Sequence, residues 1–169
     1  MFKDHAKIMH AVFAAGEISG RKKLQKIIYI AKKLSFPFHE KFHFHFYGPY
    51  SEELTLRIEE LCNMGYLNEV KEKKAGYYQY CYSITDSGKE FMKMHDMEIP
   101  SMEVCLVDMN DQSARFLELV STVLYFEELE REEVAEKIFT LKSKQKYTLE
   151  EVDEAYLYIE QLKGKAKPQ

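Results

Sequence analysis

Between residues 19 and 64 three kinds of patterning follow one another, and their order leaves few folds open. Leu24, Ile27, Ile28, Ala31 and Leu34 recur at i, i+3, i+4, i+7 and i+10, the spacing of one buried face of an α-helix. Arg21, Lys22, Lys23, Lys26, Lys32 and Lys33 give that helix a positive character with no acid among them, and read as its solvated side. Ser19 or Gly20 opens the helix. Pro37 closes it, because proline lacks a donor and moves the preceding residue out of the α region. Phe42, Phe44 and Phe46 then alternate with His43 and His45, the period of a half-buried strand. Gly48-Pro49 breaks that strand. Ser51 before Glu52 and Glu53 predicts an N-cap with acids in the first turn, where the helix dipole favours them, and Leu54, Ile58 and Leu61 carry a third helix to Gly65.

The flanking chain completes a recognisable order. Asp4 caps a first helix bearing Ile8, Val12 and Ala15, which Gly16 stops. After the third helix come strand-like runs at 66–70 and 77–84, joined by a charged, glycine-bearing tip at 71–76, with Tyr78, Tyr80, Tyr82 and Ile84 on one face of the second. Thr85 caps a short helix through Lys89, Phe91 and Met92. Helix, connector, helix, helix, hairpin, helix is the order of a winged helix-turn-helix, here with an aromatic strand inserted before the third helix. Ile99-Pro100-Ser101 marks a boundary, and 104–107 reads as a small strand or an irregular link. Asn110 or Asp111 caps a helix carrying Phe116, Leu117, Val120, Val123 and Leu124. Another carries Val134, Ile138 and Leu141, and Thr148 with Glu151 forms a capping box for the last, which bears Leu149, Val152, Tyr156 and Ile159.

Composition narrows the function classes. The longest mainly apolar runs fall well short of the roughly 20 residues a membrane span needs. The charged N-terminus lacks an apolar signal core, so the expected compartment is the cytoplasm. Cys62, Cys81 and Cys105 fall in no paired spacing and read as buried thiols. A net charge of −4 gives no overall attraction to nucleic acid, so any such affinity has to come from a local patch.

Two further resemblances rest on motifs. Arg21-Lys22-Lys23-Leu24-Gln25-Lys26-Ile27-Ile28-Tyr29-Ile30-Ala31 followed by Tyr47-Gly48-Pro49-Tyr50-Ser51-Glu52-Glu53-Leu54 resembles the YwgA-like proteins of Gram-positive bacteria, over most of the chain. More distantly, the Lys-Leu-Gln-Lys helix and the Gly-Pro turn before a helix are similar to the Panacea domain of bacterial antitoxins and of a related proteolytic adaptor. That similarity covers roughly residues 21–54 and extends toward the hairpin. The second resemblance implies a helical or winged-helix module that acts by binding another protein, and it brings no catalytic residues. The long C-terminal helical region and the histidine-bearing strand have no counterpart in the Panacea pattern.

Each candidate site has a structural and a functional reading. In a winged helix the third helix enters the major groove, yet Glu52, Glu53, Glu59 and Glu60 face only Arg57 there, so duplex DNA would be repelled unless those acids turn away. The phosphate contacts of the DNA alternative would be Arg21, Lys22, Lys23, Lys26, Lys73 and Lys74. His39, His43 and His45 allow a three-ligand metal site, and a partly exposed edge strand would show the same pattern. No nucleophile elbow, phosphate loop, His-Glu-x-x-His helix or Cys-x-x-Cys is present, so neither catalysis nor a cofactor is expected. Gly48, Pro49 and Ser51 suit a fixed corner between strand and helix. The functional reading is that Tyr47 and Tyr50, with Tyr29, frame a groove beside the second helix and receive a segment of a protein partner. The Leu149, Val152, Tyr156 and Ile159 stripe suits either packing within the monomer or an isologous dimer seam.

The resulting expectation is a mostly α, α+β protein: a winged helix-turn-helix-like domain over 1–98 with a small β-hairpin wing, a helical extension over 99–163, and a frayed tail at 164–169. Its expected role is a non-enzymatic regulatory or protein–protein interaction module, with a DNA-binding regulator as the alternative.

Overall fold

The computed structural model describes residues 2–46, 48–95 and 102–166. Tyr47, the boundary Ile99-Pro100-Ser101 and the last three residues of the expected tail lie outside that set. Among the described residues the chain is α+β and mainly helical. It runs through α1 (Lys3–Ala15), β1 (Ile18–Ser19), α2 (Arg21–Lys33), β2 (His43–His45), β3 (Gly48–Tyr50), α3 (Glu52–Asn63), β4 (Leu67–Lys74), β5 (Tyr77–Ile84) and α4 (Asp86–Met94). Then follow α5 (Met102–Asn110), α6 (Ala114–Tyr125), α7 (Arg131–Leu141), a 3₁₀ turn (Ser143–Gln145) and α8 (Leu149–Ala166). β4 and β5 form an antiparallel ribbon, to which β1 adds by pairing Ile18 with Tyr82 and Ser19 with Cys81. No helix among the described residues is long and apolar enough to cross a membrane.

Helix α2 is the axis of the molecule. All eight residues from 24 to 31 are buried, Gln25, Lys26 and Tyr29 included. The side that periodicity assigns to solvent is covered by α5, α6 and the β2–β3 pair, so only the basic ends of the helix reach the surface. The helix stops at Lys33 and the chain reverses at Ser35, whose φ of 74° lies in the left-handed region, before Pro37 is reached. Buried residues of α1, α2, α3, α5, α6, α7 and α8 join in one hydrophobic cluster.

Several local expectations are met by geometry. Ser51 Oγ accepts from Leu54 N at 3.0 Å and Thr85 Oγ1 from Gly88 N at 2.9 Å. Thr148 and Glu151 exchange reciprocal bonds of 3.0 and 3.1 Å, a complete capping box. Others are corrected. Residues 104–107 lie in α5, whose buried Met102, Cys105, Leu106 and Met109 make a helical stripe that the exposed Val104 and Val107 hide in the sequence. Helix α6 is capped by Ser113, not by Asn110 or Asp111. Gly164 is helical, because α8 runs to Ala166 with its last turns tied to α5: Asp108 accepts from Tyr158 at 2.6 Å and pairs with Lys165. Gly48-Pro49 is itself strand β3, antiparallel to β2, with His43 opposite Tyr50 and Phe44 opposite Pro49.

Candidate functional site

The two motif halves, one on α2 and one at the Gly-Pro corner, meet in space. Gln25 grips the main chain of Ser51 twice: its Nε2 donates to the carbonyl and its Oε1 accepts from the amide, both at 2.9 Å. Lys26 Nζ donates to Pro49 O at 3.0 Å. From the far side Lys142 Nζ donates to Phe46 O at 2.5 Å and to Glu118 Oε1 at 2.9 Å. Both lysines are 2% exposed. Gly48 takes a φ of 79°, where a side chain is strained, and lies against Lys26, Ser121 and Thr122. Ammonium donors on main-chain carbonyls in a dry setting make strong bonds, and together they fix the β2–β3 hairpin to α2 and to the C-terminal helices. Burial lowers the Lys26 pKa from 10.5 to about 8, with the Glu118 carboxylate opposing part of the shift.

Beside this clamp a cavity of about 250 Å³ opens between α2, α3 and the ribbon. Leu24 and Ile58 form its apolar floor. Tyr50 stands at one side with its hydroxyl 2.8 Å from Thr55 Oγ1, which also receives Gln25 Nε2 at 3.0 Å. On the opposite side Arg21 Nε donates to Tyr82 Oη at 3.2 Å, and Tyr82 in turn donates to Glu69 at 2.6 Å. The Arg21 guanidinium lies 3.8 Å over the Tyr80 ring. Burial first, and the Glu69 bond second, push the Tyr82 phenol well above its ordinary range, so it stays a donor. Lys22 and Glu59 complete the rim. Behind it, burial raises the Cys62 thiol to about 11, far from the range of a reactive thiolate.

The structure sorts the expected site residues into groups. Arg21, Lys22, Lys26 and Tyr50 line this one cavity. Gly48 and Pro49 are buried in the clamp beside it. Tyr29 is not part of the groove: it is 5% exposed and packs on Phe42 and Tyr125, with ring centroids 5.1 and 6.5 Å away. Lys26 is no surface phosphate contact, its Nζ being buried on Pro49, and Lys23 points away to Asn110 O at 2.5 Å. Lys73 and Lys74 are exposed at the ribbon tip, where Lys74 pairs with Glu72 at 3.2 Å. His39, His43 and His45 are exposed, and the His45 ring lies 5.4 Å from Tyr50. Among the described residues, ligand atoms converge instead at Glu17, Glu72 and Cys81, where the Cys81 thiol already donates to Glu17. On α3 the exposed positions include Glu52, Glu59 and Glu60, while Arg57 turns to Glu40, Glu53 and Asp4.

Sequence reasoning did not single out Gln25, Thr55, Glu69 or Lys142. Gln25 carried a usable signal, a polar residue between the apolar Leu24 and Ile28 of a buried stripe. Lys142 carried none, because its partner Phe46 is 96 positions away.

An α2-centred α+β protein with a clamped hairpin and a side-chain-sized cavity is the class these features define. No family model matches the chain. It is 64% identical over 163 residues, 96% of its own length and 98% of the relative's, to the uncharacterized protein YwgA of Bacillus subtilis (strain 168). The chain belongs to the YwgA family.

Proposed function

We propose that the chain is a non-enzymatic interaction module of winged-helix type whose cavity between α2 and α3 receives an apolar side chain of a protein partner. The observation that carries this reading is the pairing of the cavity's polar groups with one another. Gln25 is committed to Ser51 and Thr55, Lys26 to Pro49, Tyr50 to Thr55, and Tyr82 to Arg21 and Glu69. A polar ligand would find few open partners, whereas an apolar side chain gains by leaving water for a cavity that Leu24 and Ile58 line. Full burial of one Leu, Phe or Met contributes about 1.5–3 kcal/mol. The volume also suits a side chain, since pockets for drug-sized ligands run from about 300 to 1,000 Å³. The winged-helix reading draws support from the order α1-β1-α2-α3-β4-β5 and from the antiparallel pairing of β1 with β5. The distant Panacea resemblance agrees with a binding role.

The DNA alternative draws on one face of the ribbon, where Arg21 stacks on Tyr80 and Lys71 lies 4.5 Å over Tyr78. Weighing against it are the outward acids of α3 and the burial of Lys26. A photo-crosslinking amino acid placed at Thr55 separates the two. The interaction reading expects an adduct with a protein, through a peptide bearing a large apolar residue, that is lost when Glu59→Trp closes the cavity mouth. Adducts with nucleic acid alone, or a protein adduct indifferent to Glu59→Trp, would overturn it.

A further inference from the structure

A second cavity lies where α1 meets α4 and shares no lining residue with the first. His10 and Phe13, three positions apart on α1, supply one wall, and Lys89, Met92 and Lys93 supply the other from one face of α4. Its volume is about 390 Å³, larger than the side-chain cavity and inside the range of about 300–1,000 Å³ typical of small-molecule pockets. Met92 is buried, whereas the Phe13 ring is 51% exposed and leaves apolar surface open to water at this site.

Charge gives the cavity its chemistry. Lys89 and Lys93 lie one helical turn apart, where like charges repel. Among the described residues neither ammonium group has a carboxylate or carbonyl partner, and no acid lines the cavity. Other cations set into the fold are committed: Lys26 to Pro49, Lys142 to Glu118 and Arg57 to Glu40. On the α1 wall, His10 has an Nε2 that is buried with no hydrogen-bond partner, a state native structures rarely leave unexplained.

We propose that this cavity binds a small aromatic carboxylate, with the ring between Phe13 and Met92 and the carboxylate between the ammonium groups of Lys89 and Lys93. The walls select the aromatic body, because a Phe ring gains from offset or edge contacts with another ring and a thioether sulfur is attracted to an aromatic edge. Size agrees: an apolar cavity of about 150 Å³ accepts benzene, so 390 Å³ has room for a ring, a short arm and the acid. Two lysines suit a carboxylate as point charges, and no arginine fork of the kind that grips phosphate lines the cavity. An anion also relieves the repulsion between the two lysines, a gain that a neutral ligand does not bring.

Titration of the full chain with phenylacetate, followed by NMR, tests the site. The Met92 methyl and His10 ring resonances should shift saturably below about 10 mM. The neutral phenylacetamide should bind at least about fivefold more weakly, the difference that two exposed ion pairs give. Lys89 and Lys93 are exposed, so the double variant Lys89→Gln/Lys93→Gln should keep the wild-type circular dichroism. It should bring the acid down to the affinity of the amide and leave the amide unchanged. Inorganic phosphate should leave both resonances in place. The absence of saturable shifts, equal affinity for acid and amide, a double variant that binds the acid as the wild type does, or equal shifts with phosphate would each overturn the proposal. Because the reporters lie in α1 and α4, none of these outcomes bears on the cavity between α2 and α3.

Discussion

Lys26 shows how a residue that looks like surface becomes structural. By sequence it is one lysine of a basic helix; in the fold it is 2% exposed and bonded to the carbonyl of Pro49, 23 positions away. Nothing local announces this, because amphipathic periodicity assumes a helix with one wet side and α2 has neither side wet between residues 24 and 31. Gln25 is alike, meeting Ser51 through both ends of its amide. Lys26 has its pKa lowered from 10.5 to about 8, so between those values the unfolded chain holds more protons than the folded one. The stability this group contributes is therefore fully present above 10.5 and is lost as pH falls through about 8. Urea unfolding of wild type and Lys26→Met should show the difference growing in favour of the wild type as pH rises from about 8 to 10. At the upper end it should reach about 1–3 kcal/mol, the cost of leaving Pro49 O without a donor. A difference that is flat with pH would contradict the burial of a titrating amine.

At the scale of elements, capping residues made three helix starts legible: Ser51, Thr85 and Thr148 each do what their side chains suggest, whereas Asp4, expected to cap α1, lies inside its first turn after Phe2 and caps nothing. Thr148→Ala should cost about 1 kcal/mol of stability in denaturant melts. What the sequence hid were elements defined by partners rather than by period. The residues of β3 are a strand only because β2 lies alongside, and the helical stripe of α5 is obscured by two exposed valines. Gly88 gives a sharper prediction. A Cβ there would collide with the carbonyl oxygen of Tyr66 and crowd Ile84 and Met9, where α4 crosses the start of β4. Gly88→Ala should destabilise by about 1–3 kcal/mol despite its better helix propensity, because backbone cannot move aside as a flexible side chain can. A neutral or stabilising result by thermal melting would show that α4 is free to shift.

For the whole molecule, the α+β class, the mainly helical content and the hairpin were legible, because long periodic segments and turn residues report on themselves. The enclosure of α2 by the C-terminal helices was not, since it depends on which apolar faces meet. Of the α8 stripe that suited either packing within the monomer or a dimer seam, Val152 and Ile159 are 1% and 4% exposed and pack inside the monomer, while Leu149 is 60% exposed. The cavity was legible in part: Tyr50, Tyr82 and the basic start of α2 were open to a partner-binding reading, while Thr55 and Glu69 enter it only through the fold. The central claim is that this cavity takes an apolar side chain, and methyl NMR of the purified protein tests it most directly. Titration with N-acetylphenylalaninamide should shift the Leu24 and Ile58 methyl resonances saturably, and N-acetylaspartamide should leave them in place. Equal responses to both probes, or none to either, would contradict the account.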